Sequence, residues 1–339
     1  MELEDIKGLL QFPKRIVILA HRNPDGDAIG SSLALRLFLI RIGHQVSVIY
    51  PTDYPPMFTY LEGIDTTLVH AAQREESEAA IRSAEMIFFL DFNGLDRIDQ
   101  LGPLVQESEV PKVMIDHHLD PEPIADWDLS VPKASSTCEL IYVFIEMLGK
   151  LDSIDIPLAE CLFTGILTDT GSFRFSTNER VYKIAAHLKA IGVDDYTLQN
   201  RLFNSLTEKQ LRLIGHCIAN RMILMNEYQT GIFYLTREDF RNFQIQRGDT
   251  EGIVNYILMM RKMRVAIFVT DQNGNIKLSF RSKGNISVQD LAREYFGGGG
   301  HKNASGGSSR KTLNETVDQL KQILPAYLEE HGLVKQSIS

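Results

Sequence analysis

Three short apolar runs in this sequence each end in a turn that carries acid or imidazole side chains. RIVILA (Arg15–Ala20) runs into His21, MIFFL (Met86–Leu90) into Asp91, and KVMI (112–115) into Asp116, His117 and His118. Short, unbroken apolar runs with β-branched residues read as strands buried on both faces, the pattern of a parallel sheet. Between the first run and the next, AIGSSLALRLFLIRIG has helical spacing and stops at Gly43, and QVSVIY follows as another strand. A strand–helix–strand unit of this kind implies right-handed crossovers. In open α/β sheets ligands bind at the carboxyl ends of the strands, which is where the three polar turns fall.

The pattern continues with helices expected over 79–84, 95–107, 136–148 and 157–168. Residues 178–220 read as mostly helical and polar. Beyond them, MILMNEYQTGIFYLT and RVAIFVTDQNGNIKLSFRS read as strand pairs closed by the turns YQTG and DQNGN. A helix over ISVQDLAREYF leads into GGGGHKNASGG, and a last helix spans Thr312 to Glu330. The 339 residues, 44% of them hydrophobic, are enough for two self-sufficient cores. The expected organisation is α/β: a parallel-sheet domain over 1–195, a helical connector over 196–220, and a smaller α+β domain over 221–339.

The formal net charge of −9 argues against a protein that coats long duplex DNA. It does not exclude a short anionic substrate held in one locally basic or metal-lined cleft. Cys138, Cys161 and Cys217 are odd in number and lack CxxC spacing, so they read as reduced thiols. The acidic start has no secretory character, and no apolar run reaches the ~18 residues of a membrane span. A cytoplasmic location is the expectation.

His21, Asp25 and Asp27 lie within seven residues at a strand end, with Gly26 letting the backbone bend between the aspartates. Oxygen ligands with one nitrogen suit manganese or magnesium. The ordinary alternative is that Asp27 caps the helix beginning at Ala28. Asp91 alone is usually a turn residue, and adjacent histidines such as His117 and His118 occur by chance. Asp169, in GILTDTGSFRFST, is equally ordinary at a helix end. Together, however, these groups fall at four successive chain breaks of one α/β domain, which makes a common site the expectation. Two divalent cations about 3.5–4 Å apart can share one carboxylate and lower the pKa of a water toward roughly 7. They also neutralise the oxygens of a phosphoester transition state.

HRNPDGDAIGS, LDFNG, IDHH and LTDTGSFRFS resemble the four motifs of the DHH phosphoesterases. GGGGHKNASGG, with FRS upstream, resembles the signature of their associated C-terminal domain. Order and spacing agree from about Arg15 to Gly307. The resemblance implies one metal held by His21, Asp25 and Asp91, and another by Asp27, Asp91, His117 and Asp169, with Asp91 bridging. Manganese is the expected ion and magnesium the alternative. His118 would face the scissile phosphate, and Asp116 would orient a histidine and fix its tautomer. Arg281 and His301 would contact the substrate's phosphates or its far end. Gly298, Gly299 and Gly300 would let backbone amides approach an anion, and the active site would lie in the cleft between the domains. Arginine suits position 281 because its fork grips phosphate bidentately. One departure is Ala304-Ser305-Gly306, where the family often has two alanines before the glycine; it places a hydroxyl near the site.

Within the family, the long single-strand exonucleases carry an extra nucleic-acid-binding domain for which this chain has no room. The pyrophosphatases carry a different C-terminal domain, and the membrane-bound cyclic-dinucleotide phosphodiesterases add membrane segments. The chain thus resembles the compact bifunctional group: oligoribonucleases acting on very short RNA that also dephosphorylate 3′-phosphoadenosine 5′-phosphate. The expected partner is short single-stranded RNA or a small nucleotide, with no membrane, and a homodimer is compatible with this reading. The C-terminal domain would act as a ruler, with Phe280, Tyr295 or Phe296 as base-stacking candidates that serve equally well as core. The alternatives are an exopolyphosphatase-like enzyme, a cyclic or linear dinucleotide phosphodiesterase, or a catalytically silent nucleotide-binding regulator. The full complement of ligand residues argues against the last.

Overall fold

Alternation inside the apolar runs sets the first layers. In the computed structural model, which describes residues 2–333 apart from positions 205, 247 and 273, β1 (Arg15–Ala20) follows a short helix α1 (Leu3–Leu9). Ile16, Ile18 and Ala20 point into one core and Val17 and Leu19 into another on the opposite face. The same split recurs in β4 (Met86–Leu90), where Phe88 and Leu90 face the first core and Ile87 and Phe89 the second. Such a strand needs helices on both sides, and the chain supplies them.

The intervening elements are α2 (Gly26–Arg41), β2 (Gln45–Tyr50), β3 (Leu68–Val69) and α3 (Arg74–Ser83). After β4 come α4 (Leu101–Glu107), β5 (Lys112–Asp116) and β6 (Trp127–Ser130), then α5 (Thr137–Met147), α6 (Ile156–Thr170), α7 (Glu179–Ile191) and α8 (Asp195–Phe203). The helix expected over 95–107 is broken into a 3-10 turn at Leu95–Ile98 and α4, because Asp99 adopts a left-handed φ of 50° and meets Arg22 Nη1 at 3.0 Å. The six strands are all parallel, in the order β3-β2-β1-β4-β5-β6. The order reverses between β1 and β4, and the crevice beyond the carboxyl ends of those two strands is the natural ligand position of such a sheet. The turns beginning at His21, Asp91 and His117 are the continuations of three adjacent strands, β1, β4 and β5.

Helices α2 and α6 pack backbone to backbone. A side chain at Gly30 would meet the Cys161 carbonyl at 2.5 Å, and one at Gly165 would meet Cys138 Sγ at 2.2 Å. All three cysteines are buried and free of disulfides.

The chain divides into two compact units, Met1–Ser205 and Leu206–Ser339. The segment expected as a connector, 196–220, is shared between them. Leu198 and Leu202 of α8 join the first core, whereas α9 (Glu208–Asn220) buries Leu213, Ile214 and Cys217 in a core of the second unit. There, β7 (Met222–Met225) and β8 (Thr230–Leu235) form the first hairpin, followed by α10 (Arg237–Asn242) and α11 (Asn255–Leu258). The rest is β9 (Val265–Gln272), β10 (Asn275–Ser282), α12 (Val288–Phe296), β11 (Gly299–His301), β12 (Ala304–Ser309) and α13 (Leu313–Glu330). The sheet order is β11-β12-β10-β9-β8-β7, antiparallel throughout except for the parallel β8–β9 pair. One face carries α12 and α13 over Ile276, Leu278 and Phe280; the other carries α9 and α11 over Phe233, Ala266 and Phe268. The glycine run is a tight hairpin rather than a linker. A Cβ on Gly298 would lie 1.9 Å from the Gly306 carbonyl oxygen, and Gly300 sits at φ +139°. Among the described residues no helix is long and apolar enough to cross a membrane.

Candidate metal centre

The turn after β1 is organised by Asp25, which caps α2: its Oδ1 accepts from the amides of Asp27 (3.0 Å) and Ala28 (3.1 Å). The capping role considered for Asp27 therefore belongs to Asp25. Asp27 lies in the first turn of α2, fully buried, and its carboxylate accepts from the amides of Thr137 (2.5 Å) and Cys138 (2.9 Å). Those are the opening amides of α5, behind the N-cap Ser136, and a helix N-terminus favours an anion. Asp91 follows β4 in a left-handed conformation (φ 63°), which aspartate tolerates better than most residues. Thr137 Oγ1 donates to its Oδ1 at 2.9 Å. Thr137 thus braces two carboxylates distant in sequence, one at the start of α2 and one after β4.

The eight candidate side chains of this unit converge beyond the ends of β1, β4 and β5. His21 Nε2 lies 3.5 Å from Asp91 Oδ2 and 3.9 Å from Asp25 Oδ1. His117 Nε2 lies 3.6 Å from Asp91 Oδ1, 3.1 Å from Asp169 Oδ2 and 3.8 Å from Asp27 Oδ2. Asp91 therefore turns one oxygen to each of two donor groups: His21–Asp25–Asp91 on one side, and Asp27–His117–Asp169 with its own Oδ1 on the other. His21 Nδ1 donates to the Arg22 carbonyl at 2.8 Å, which directs the Nε2 lone pair inward. Asp116, fully buried, accepts from His118 Nδ1 at 2.7 Å, and the His118 ring stands edge-on to His117 with centroids 5.1 Å apart.

Buried negative charge dominates the electrostatics. Burial pushes the Asp27 carboxyl above its ordinary value, with His117 opposing. Burial, then Asp27 and Asp25, push Asp91 well above the carboxylate range. Burial and Asp27 push Asp169 up to about 7. For His117, burial works against the imidazolium, but Asp169, Asp91 and Asp27 prevail and carry it up to about 11. Carboxylates held this close favour a bound cation over mutual repulsion. The donor set, all oxygen and imidazole nitrogen with no thiolate, fits hard or borderline divalent cations such as manganese or magnesium.

Arg281, Gly298, Gly299, Gly300 and His301 come together in the second unit. Ala304 on β12 pairs with Arg281 on one side and with His301 on the other, so all three side chains share one face of the sheet. Burial lowers the Arg281 guanidinium, with Glu251 opposing. Of the stacking candidates, Phe280 and Phe296 belong to the core and pack on each other at 5.5 Å, and Tyr295 stands edge-on to Tyr327. Strand alternation explains Phe280: it shares parity with the inward-facing Ile276 and Leu278, not with Arg281.

Thr137, the Cys138 amide and Gly165 were not anticipated as parts of the site. The signal available was the Ser/Thr-rich helix start ASSTCEL. A Cβ on Gly165 would stand 2.7 Å from Asp27 Oδ1. Gly165→Ala is therefore expected to displace that carboxylate and weaken manganese binding about 10–100-fold, as loss of ligand support does elsewhere. Calorimetric titration with manganese, beside a thermal melt, checks this; unchanged affinity in a folded variant would show that the close packing of Gly165 on Asp27 does not support metal binding.

The model of the DHH family, N-terminal domain, matches residues 15–166, and that of the DHHA1 domain matches residues 229–330. The chain belongs to the DHH family of phosphoesterases and carries the DHHA1 domain. It is 29% identical over 317 residues to the bifunctional oligoribonuclease and PAP phosphatase NrnA of Thermus thermophilus, covering 93% of this chain and 90% of that one. The namesake from Bacillus subtilis is 27% identical over 322 residues, covering 93% and 95%. The crystal structure of an exopolyphosphatase-related protein from Bacteroides fragilis superposes with a TM-score of 0.94 at 36% identity, covering 97% of both chains.

Proposed function

We propose that this phosphoesterase hydrolyses short oligoribonucleotides to 5′-mononucleotides, and 3′-phosphoadenosine 5′-phosphate to AMP, with two divalent cations, manganese first among them. The observation that carries the reading is Asp91, whose two oxygens face separate donor groups 3.5 and 3.6 Å away. His21, Asp25 and Asp91 would hold one cation, and Asp27, Asp91, His117 and Asp169 the other. When bound, such ions acidify water and neutralise phosphoryl oxygens. The chain's own residues do the rest. Asp116 keeps the proton on His118 Nδ1, so Nε2 is the ring atom that meets the substrate phosphate. Thr137 and the start of α5 hold Asp27 and Asp91 in place, so little reorganisation is needed during reaction. Arg281, His301 and the Gly298–Gly300 backbone, which come together in the second unit, would contact the substrate's phosphates. The NrnA relatives, matched over nearly their whole length, support the substrate class.

Arg281→Ala is expected to raise KM roughly 10–100-fold while changing kcat less, because a charge-assisted contact of about 1.5–3 kcal/mol is lost in ground and transition states alike. Steady-state kinetics on a dinucleotide checks it; an unchanged KM removes Arg281 from the binding set.

The Bacteroides fragilis structure, described as exopolyphosphatase-related, favours polyphosphate as a second reading. A hydrolysis panel with manganese separates the two. It would compare RNA dimers to pentamers, linear and cyclic dinucleotides, 3′-phosphoadenosine 5′-phosphate and polyphosphate. Mononucleotide release from short RNA with polyphosphate inert supports the first reading; polyphosphate turnover with RNA inert overturns it.

A further inference from the structure

The second unit's sheet has a face whose two ends differ in chemistry. Along β10, Lys277, Ser279 and Arg281 alternate with the core residues and share one face. At one end, Arg281 lines up with Ala304 and His301. In the middle, Ser279 lies between Phe268 of β9, which is covered by α9 and α11, and Gly306 of β12, and Gly306 pairs with Gly299, so the strip from Ser279 outward to β11 has no bulky side chain. At the other end, Lys277 borders a pocket of about 1020 Å³ lined also by Arg237, Arg241 and Gln246, with Phe240 and Ile245 supplying apolar surface.

The charges in this pocket are unbalanced. Arg237 is held by Asp271, with Nε 2.9 Å from both carboxylate oxygens. Asp249, on the turn beyond Gln246, is tied to Lys209 at 2.5 Å. Arg241 and Lys277 are exposed, and among the described residues neither makes an ion pair. In a chain of net charge −9, such a cluster reverses the local field. Lys277 and Arg281 lie four residue steps apart on the strand, roughly 14 Å at about 3.4 Å per residue. That is further than one nucleotide's backbone repeat.

We propose that the pocket lined by Arg241 and Lys277 is a second phosphate-binding site, which takes the distal phosphates of substrates longer than a dinucleotide. The inference rests on the oligoribonuclease reading given above. A backbone gripped at Arg281 crosses the low strip at Ser279 and Gly306 and ends its reach against Lys277 and Arg241. The site therefore adds affinity only for chains long enough to arrive there, and through charge rather than base identity.

The test compares the double variant Arg241→Ala/Lys277→Ala with the unaltered chain on an RNA dinucleotide and an RNA pentamer, both with manganese. Both side chains are exposed, and a thermal melt verifies that the variant folds. The expected result is a roughly tenfold or larger fall in kcat/KM for the pentamer, with dinucleotide kinetics within about twofold of normal. The salt dependence of pentamer KM should flatten by roughly 0.7 in log–log slope per lost contact. Equal effects on both lengths, or none, overturn the second site while leaving the oligoribonuclease reading in place. If added AMP inhibits dinucleotide hydrolysis through these two residues while pentamer kinetics stay unchanged, the pocket serves a free nucleotide and the proposal is overturned. If the unaltered chain cleaves RNA of neither length, the functional reading falls and this inference falls with it.

Discussion

Asp91→Asn is expected to lower metal-dependent hydrolysis by about 10³-fold or more, on the order of 4 kcal/mol of transition-state stabilisation, while leaving the fold intact. The substitution is chosen for three features of the site. Asparagine tolerates the left-handed backbone at this position, where φ is 63°. Its amide oxygen can still accept from Thr137 Oγ1, now at 2.9 Å from Oδ1. What it removes is the negative charge shared between the two donor groups. Because burial and the neighbouring aspartates already hold this carboxyl well above its ordinary value, the metal-free variant should melt no lower than the parent chain. Asp91→Ala should be equally inactive but somewhat less stable, since it loses the hydroxyl bond and strains the turn. Hydrolysis of a dinucleotide with manganese, beside thermal melts in chelator, checks both halves. Activity within tenfold of normal would refute the bridging role.

The second large effect couples the centre to stability. In chelator, unfolding stability should fall as pH rises from about 4 to 8. Asp169 titrates near 7 in the folded chain against an ordinary value of 3.8, so between those values the folded state binds more protons than the unfolded state. Its unfavourable contribution is absent below 3.8 and complete above 7; Asp91 and Asp27 act in the same direction. His117, raised to about 11 from 6.5, contributes stability that is whole below 6.5 and is lost from there upward, so the two slopes share a sign. A bound divalent cation such as manganese would replace those protons. At 100-fold over its dissociation constant one cation adds about 2.7 kcal/mol, roughly 5–10 °C in Tm for a unit of this size. The gain should be larger at pH 8 than at pH 5.5, because cation and protons compete for the same oxygens. Equal melting at both pH values in chelator would refute this picture of the centre.

Much of the first unit's candidate centre is legible in the sequence because its chemistry is local. His21, Asp91 and the Asp116–His118 triplet directly follow or end apolar strands, and a parallel sheet brings neighbouring strand ends together. Their convergence needs no long-range information beyond strand order. The bracing of Asp27 and Asp91 by α5 was hidden for the opposite reason: it joins residues 110, 111 and 46 positions apart, and two of its three donors are backbone amides, which have no residue signature. The break at Asp99 was hidden too, since its left-handed turn is stabilised by Arg22 from another strand end. Phe280 could have been assigned to the core by parity alone, as it alternates with Arg281 along one strand. The connector was misleading in composition: α8 and α9 are both polar on average, and only their apolar stripes assign them to different cores.

The bonds from Thr137 and Cys138 to Asp27 also bear on how this centre can change over generations of substitution. Their donors are peptide N–H groups, so proline at position 138 would delete its bond to the carboxylate outright. Because the path of the chain sets both donors, a single-residue insertion or deletion in the 131–136 loop would shift them from both Asp27 oxygens at once. Drift in this chain should thus resist changes of loop length just before α5, in addition to the limits that the Thr137 hydroxyl on Asp91 and the buried Cys138 side chain set on substitution there. Deep mutational scanning that includes indels would separate these two classes of change.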